Sequence, residues 1–597
     1  MRNKRKIFSL FAFTALSVFV LSACGNKNGT SADESGVSVG LFPFVTANQE
    51  KALEGGTLEL AIVNDAPFKG LFSPALSQDA FDNSFMSPTG FGTLFRVSED
   101  GSIENGGPAD FEFDREKRTA TITLREDLKW SDGTAVTADD IIGTYKIIAD
   151  KDYTGVRFSD IQNVVGVAEY HEGKSDEIAG LTRVSDRVVE VEFIEASPSI
   201  TLMGSGGILN YAIPWHQLKD IPVAELETSD AVRKNPLSFG PFVVSNVVPG
   251  ETVELIRNEY FYGQTPNLEK IVLRNTASSG IIQAIQAKTF DIVLHMPTDS
   301  FPQYKDVESY EMLGAMEFAY TYIGFKLGHY DSDNNQSVLD ENAKMSNKSL
   351  RQAMGYAVDN ERVGKEFYHG LRTQANTLIA PVFGDLAASK ADLPGYGDGE
   401  DLEKANKLLD DAGFVDTNGD GFRENPDGTP LTINFASMSG GDIAEPLAQY
   451  YIQQWREIGL DVQLMNGRLH DFQTFYQRVQ DDDPEVDVFM AAWSLTWNPD
   501  PAALWGPTAA FNFTRYVSDE NTRLIEAINS DKAFDDEFRK QAMLDWQKYA
   551  DEQAFAIPTL FRSSIVPVSK RVTNFTIEQN ASAYEKWAQV GVSKETR

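Results

Sequence analysis

The sequence predicts a large α/β protein, built as roughly three domains or as one long split fold. Three observations carry that expectation. The chain has 597 residues, against about 100–200 residues for an ordinary domain. Hydrophobic residues make up 42%, with 38 Phe, 20 Tyr and 8 Trp, enough apolar surface to build a core and too much for global disorder. Strand-like runs and a capped helical segment then occur together in the body. Charge narrows the class further. Lys and Arg number 53 against 88 Asp and Glu, a net −35, and a chain so anionic gains nothing from counterion release on a phosphate backbone, so no nucleic-acid partner is expected. The single cysteine, Cys24, excludes an internal disulfide, a thiolate zinc site and an iron–sulfur cluster.

Arg2, Lys4, Arg5 and Lys6 precede fifteen mostly apolar, uncharged residues, 7–21, a run too short for a comfortable membrane span of about 20 residues. Small residues follow, and then Cys24 and Gly25. The segment 1–23 resembles a bacterial lipoprotein signal with its lipobox, with Cys24 as the lipidated residue. An ordinary secretory signal with a chance cysteine is the alternative. Two acyl chains supply the second anchoring signal that one chain lacks. Cutting before Cys24 removes four bases and no acid, taking the charge from −35 to −39. Residues 24–54 are polar and read as a flexible tether, interrupted by an apolar patch at 37–45 that this reading leaves without an account.

The body begins near Gly55 and Gly56, where Thr57-Leu-Glu-Leu-Ala-Ile-Val63 reads as a mostly buried strand. Residues 118–124 (RTATITL) alternate like a strand with one face buried. Trp130-Ser-Asp-Gly133 supplies a turn. Thr137, three residues before Asp140, forms a variant capping box for a helix starting at Ala138, with Val136 and Ile141 at staple spacing. The stretch 124–141 (LREDLKWSDGTAVTADDI) is therefore strand, turn and capped helix.

That stretch also resembles the signature of the family 5 extracellular solute-binding proteins, the peptide-binding subunits of bacterial ABC importers. Further segments resemble the family in the same order: 236–242 (PLSFGPF), 257–266 (RNEYFYGQTP), 350–359 (LRQAMGYAVD), 405–413, 455–459 (WREIG) and 493–505. The resemblance covers essentially everything after residue 56. It implies a two-lobed, periplasmic-binding-protein-like fold of the class II type with an extra inserted domain. Lobe I would comprise 55–97, 232–316 and 561–597, the inserted domain 98–231, and the other lobe 317–560. The hinge would be two strand crossings, near residues 320–322 and 558–561.

Several motifs invite chemistry. Residues 168–175 (AEYHEGKS) fit a loosened phosphate-loop pattern, but Glu169, Glu172, Asp176 and Glu177 oppose phosphate, so a surface helix and turn is expected. Residues 416–427 (DTNGDGFRENPD) match calcium-loop spacing at Asp416, Asn418, Asp420 and Gly421, with Glu424 within the loop and Asp427 where a longer Glu normally ligates. The segment after the loop looks like a strand, not the outgoing helix. A turn rich in Asp and Gly is the first reading, and a structural calcium ion the alternative; no other cofactor is expected. The six histidines lack the i, i+4 spacing of a helical zinc site, and no Gly-x-Ser-x-Gly elbow occurs. Nothing selects a carboxylate pair for glycoside hydrolysis.

For ligand binding the most informative segment is 492–505 (AWSLTWNPDPAALW), three tryptophans and an acid in a Pro-rich turn after an apolar strand. By residue type alone, these are as well read as core and corner. The family resemblance implies an acid near this strand that pairs with the peptide's ammonium end, while backbone groups bind the peptide as an added strand. Asp500 is the expected acid, with Asn498 standing where related sequences often have one. Trp493, Ser494 and Tyr322 are further cleft candidates, with core burial the alternative for Trp493 and Tyr322. Asp79 and Phe81 are the candidates on the opposing lobe. The expectation is a monomeric, non-enzymatic receptor on the extracellular face of the membrane, capturing oligopeptides for a permease driven by cytoplasmic ATPases. The alternatives are a signalling peptide, a nickel complex, haem or a sugar on the same scaffold, and, most remotely, a secreted hydrolase.

Overall fold

The computed structural model describes residues 37–594 other than 205, 207 and 398. The signal segment and Cys24 lie outside the described residues; among those described, no helix is long and apolar enough to cross a membrane. Residues 37–54, expected as tether, instead run along the body. Val37 N–H donates to the His369 carbonyl at 2.9 Å, Thr46 N–H to Phe575 at 3.0 Å and Leu53 N–H to Val592 at 2.8 Å. The apolar patch supplies the cause. Phe42 meets Phe301 edge-on at 5.8 Å, and Val37 and Val39 join the same cluster, so apolar burial holds a segment whose polar composition suggested a loose chain.

Strand β1 (Thr57–Val63) precedes the short helix α1 (Ala80–Met86). An antiparallel four-stranded sheet follows, formed by β2 (Ala109–Asp114), β3 (Thr119–Leu124), β4 (Leu181–Arg183) and β5 (Val188–Glu192) in the order β2-β3-β5-β4. Between β3 and β4, helix α2 (Ala138–Ala149) starts where the capping residues require: Thr137 N–H donates to Asp140 Oδ2 at 2.8 Å, and Val136 and Ile141 are both buried. Ala120, Ile122 and Leu124, alternate residues of β3, are buried as the period-two pattern demands.

The chain then builds β6 (Phe242–Val248), β7 (Thr252–Arg257), β8 (Lys270–Thr276), β9 (Ile292–Leu294) and the long β10 (Tyr310–Phe325). Next come β11 (Thr373–Gln374), β12 (Thr432–Ala436), β13 (Asp461–Leu464), helix α3 (Phe472–Gln480), β14 (Val488–Ser494), helix α4 (Asp536–Gln553) and the long β15 (Ala556–Ser569). Among the described residues these strands form one eleven-stranded mixed sheet, in the order β13-β12-β14-β10-β15-β9-β1-β8-β7-β6, with β11 beside β15.

The two long strands, β10 and β15, pair antiparallel along nearly their whole lengths. Their register shifts between Met316 and Tyr320, opposite Ser563 and Phe561. One hydrophobic cluster lies to one side, drawn from residues between Tyr320 and Phe561. Two smaller ones lie to the other, around β1, β8, β9 and the end of β15. A fourth cluster, almost wholly from residues between Leu71 and Phe239, covers the four-stranded sheet. Apolar cores on either side of a shared pair of strands make the molecule two-lobed, with an additional unit packed on one lobe.

Candidate functional site

The register shift places Glu317, Phe318 and Ala319 of β10 and Arg562 of β15 on the wall of a cavity of about 600 Å³. Arg562 Nε lies 3.0 Å from Glu317 Oε2, so the charges on this stretch neutralise one another. One wall comes from α1, with Asp79, Phe81 and Asn83; the opposite wall comes from β14 and the segment after it, with Trp493, Ser494 and Asp500. Arg157 of the inserted unit also borders the cavity. A second chamber of about 320 Å³ adjoins it and shares Phe81, His295, Met438, Phe472, Ala492 and Arg562 with it.

Much of the main cavity's wall is aromatic. Trp493 lies 5.0 Å from both Phe511 and Phe513, and Phe318 lies 4.6 Å from Trp497. Phe81 meets Phe472 edge-on at 5.3 Å across the space between the lobes. His295 touches Phe81 at 5.0 Å and lies 2.7 Å from Ser84 Oγ. Partial desolvation between the lobes lowers its pKa, so the ring is neutral at neutral pH.

Strand β14 offers an unpaired edge here. On one side it pairs with β10 from Val488 to Ser494; on the other, β12 covers only Val488 and Phe489. The main-chain groups of alternate residues in an antiparallel strand point the same way. Ala492 directs its N–H and carbonyl to the Tyr476 hydroxyl, at 3.4 and 3.2 Å, away from β10. Leu495 N–H, of the opposite parity, donates to the Phe318 carbonyl at 2.6 Å. Ser494, two residues after Ala492 and exposed, therefore turns its main-chain donor and acceptor toward the cavity.

The expected site residues divide. Trp493, Ser494, Asn498, Asp500, Asp79 and Phe81 all border the cavity. Tyr322 does not, contrary to expectation. It is fully buried in the lobe core, stacked on Trp493 at 6.4 Å and edge-on to Trp505 at 5.5 Å. Its aromatic neighbours in the core outweigh its position on the crossing strand β10.

Asp500 is committed to the turn that carries it. Its Oδ1 accepts from Ala502 N–H at 2.9 Å, its Oδ2 lies 3.5 Å from Ser199 Oγ, and burial raises its pKa. Asn498 is 6% exposed and accepts from Asp500 N–H at 3.2 Å, again a turn contact. Asp79 is different. Its Oδ1 caps α1, accepting from Phe81 and Asp82 N–H at 3.0 Å each, while its Oδ2 is buried with no donor among the described residues.

The loop at 416–427 closes on itself. Asp416 accepts from Gly419 and Gly421 N–H at 2.6 and 2.9 Å, and Glu424 accepts from Thr417 N–H and from Asn418 Nδ2, both at 2.7 Å. Asp416, Asp420 and Glu424 bring carboxylate oxygens within 4.8 Å of one another. Asp427, expected at the last ligand position, instead accepts from Thr429 N–H and Oγ1 at 3.0 and 2.6 Å and belongs to the following turn. Residues 167–171 form a short helix followed by a turn, in place of any phosphate loop.

Sequence reasoning missed Tyr476, Arg562, Glu317 and His295. Arg562 and Glu317 carried a usable signal, as charged residues beside the two apolar runs already read as crossing strands. Tyr476 and His295 reach the cavity only through tertiary packing.

A cavity between two lobes joined by paired strands, lined by aromatic groups and an open strand edge, defines a solute-binding protein. The sequence profile of the bacterial extracellular solute-binding proteins, family 5 Middle, matches residues 109–514, and the chain belongs to that family. Its relatives include the oligopeptide-binding protein OppA of Lactococcus lactis subsp. cremoris (strain SK11), 35% identical over 99% of each chain. The oligopeptide-binding protein AppA of Bacillus subtilis (strain 168) is 22% identical over 93% of each. Among solved structures, lactococcal OppA complexed with an endogenous peptide in the closed conformation is 35% identical and superposes with a TM-score of 0.87, over 90% of this chain and 100% of that one.

Proposed function

We propose that this chain is the oligopeptide receptor of an ABC importer. The observation that carries the reading is the unpaired β14 edge beside a cavity of about 600 Å³, in a chain 35% identical from end to end to an oligopeptide-binding protein. A peptide added along Ser494 gains main-chain hydrogen bonds that do not depend on its sequence, while the aromatic walls accept varied side chains. Asp79, with one carboxylate oxygen free of protein donors, takes the peptide ammonium in place of Asp500. The lobes, 55–97 with 232–316 and 561–597, and 317–560, move about β10 and β15, with 98–231 as the inserted domain. Ligand favours the closed form only through its greater affinity for that form.

Cys24 carries the lipid that keeps the receptor, as a single chain, on the extracellular face of the membrane, where it delivers cargo to the permease. A nickel or haem cargo lacks support, since His295 is the one histidine bordering either chamber among the described residues. The decisive experiment is native mass spectrometry of the purified chain, followed by melting in the presence of a diverse peptide library. Bound peptide masses and a Tm rise that follows mass action are expected, with peptides recovered intact. Cleaved peptides would indicate a hydrolase, and no Tm shift across the library would sink the receptor reading.

A further inference from the structure

Two arginines stand side by side where β11 meets β15. The antiparallel register that pairs Thr373 with Phe561 brings Arg372 alongside Arg562, and like charges directly opposite one another in a sheet destabilise it. Arg562 has its counter-charge in Glu317, 3.0 Å away. Arg372 has none. Its guanidinium lies 3.9 Å above the Tyr368 ring, its Nε is buried without an acceptor, and no carboxylate among the described residues forms an ion pair with it.

Both arginines border the second chamber of about 320 Å³. Two of the acids on that wall are engaged elsewhere. Asp65 accepts from Ser278 N–H and Oγ at 2.8 and 2.9 Å, and Asp471 caps α3 through Thr474 N–H at 3.1 Å. Asp299 borders the chamber and stays outside ion-pair distance of Arg372. The chamber therefore holds an enclosed guanidinium, seated over an aromatic ring, next to a second one. A carboxylate in that space would accept charge-assisted hydrogen bonds from a preorganised donor fork and separate two like charges. The chamber adjoins the main cavity across Phe81, His295, Met438, Phe472, Ala492 and Arg562, close enough for one extended ligand to reach both walls.

We propose that Arg372, with Arg562 beside it, makes the second chamber a subsite for a carboxylate of the bound peptide, either an acidic side chain or the C-terminal carboxylate. This rests on the peptide-receptor reading and extends it to a charge preference at a defined place.

The test is calorimetric titration of the purified chain with one octapeptide series, each peptide made with a Glu or a Gln near its end and with a free or an amidated C-terminus. The wild type is expected to bind at least one carboxylate form about tenfold more tightly than its neutral counterpart. Whether the Glu/Gln pair or the acid/amide pair carries the difference identifies the source of the carboxylate. Arg372→Gln is expected to abolish that preference and leave the neutral peptide within about twofold of wild type. Arg372→Lys keeps the charge without the planar fork and is expected to restore part of the preference. Should Arg372→Gln fail to fold, the wild-type comparison and the lysine variant still decide. Equal binding of acidic and neutral peptides by the wild type overturns the proposal, as does a full preference surviving in Arg372→Gln. If no peptide of the series binds the wild type, the receptor reading fails and takes this one with it.

Discussion

Asp79 and Asp500 show how little residue type alone decides. Both are acids on the cavity wall, and by sequence Asp500 was the stronger candidate because it follows the tryptophan strand. In the folded chain Asp500 holds its own turn through Ala502 N–H at 2.9 Å, whereas Asp79 keeps one oxygen free of donors. Replacing Asp79 by Asn preserves the cap, since Asn caps a helix as well as Asp does, and removes the charge. The expected outcome is about tenfold weaker binding of a free-amino peptide, little change for its N-acetylated form, and a nearly unchanged Tm. Calorimetry with the two peptides checks it; equal loss for both would remove Asp79 from the role.

Tyr322 gives the complementary case, a residue on a crossing strand that turned out to be core. Residues 320 and 322 lie two apart on β10, yet Tyr320 borders the cavity and Tyr322 does not. Which of them meets the cavity depends on side chains far away in sequence, Trp493 and Trp505 among them.

At the scale of elements, β14 and α4 make separate predictions. The N–H of Ser494 faces the open edge, so Ser494→Pro removes a donor that pairs with nothing in the body while leaving the β10 side intact. Peptide affinity is expected to fall by about tenfold, irrespective of peptide sequence, with the unfolding midpoint little changed. Uniform loss across a set of unrelated peptides is the signature; loss for some side chains only would mean that the edge is not used.

Helix α4 ends with Asp551 and Glu552 in its last turn, where the helix dipole disfavours anions. Asp551 Oδ1 is buried without a partner, and burial pushes its pKa up to about 6, with Lys404 opposing the shift. The folded state thus holds this proton more tightly than the unfolded chain, whose value is 3.8. The favourable contribution is complete below the unfolded value and is lost as pH rises toward 6. Asp551→Asn is expected to stabilise the protein by roughly 1–3 kcal/mol at pH 8 and much less at pH 3.5. Denaturant midpoints at the two pH values measure it; a variant no more stable at pH 8 contradicts it. The capped start of α2, the alternating β3 and the helix-then-turn at 167–173 were all readable in advance, because caps, alternation and turn chemistry are local.

For the whole molecule, contacts that tie the inserted unit to residues 335, 508 and 531–534 would bear on how long a ligand stays. Arg115 of the inserted unit donates to Asp531 Oδ1 at 2.6 Å and lies 4.3 Å over Phe534, while Asn335 meets His171 at 2.8 Å and Thr508 meets Gln162 at 2.7 Å. The Arg115 pair is exposed, so its share of global stability is small, about 0–1 kcal/mol. It exists only while these two units touch, so it biases opening. Arg115→Ala is therefore expected to speed peptide release several-fold with almost no change in Tm; stopped-flow displacement, with Trp493 on the cavity wall as reporter, measures the rate. Unchanged release would mean that these contacts do not limit opening.

The sequence by itself determined the family, the α/β class, the capped and alternating elements and the strand that became β14, because each rests on neighbours in the chain or on an ordered set of motifs. The tertiary structure alone decided which acid keeps a free oxygen, that residues 37–54 pack against the body, that Tyr322 is core, and that Arg372 and Arg562 share one chamber. Those outcomes depend on burial and on pairings between residues hundreds of positions apart, and no local pattern encodes them.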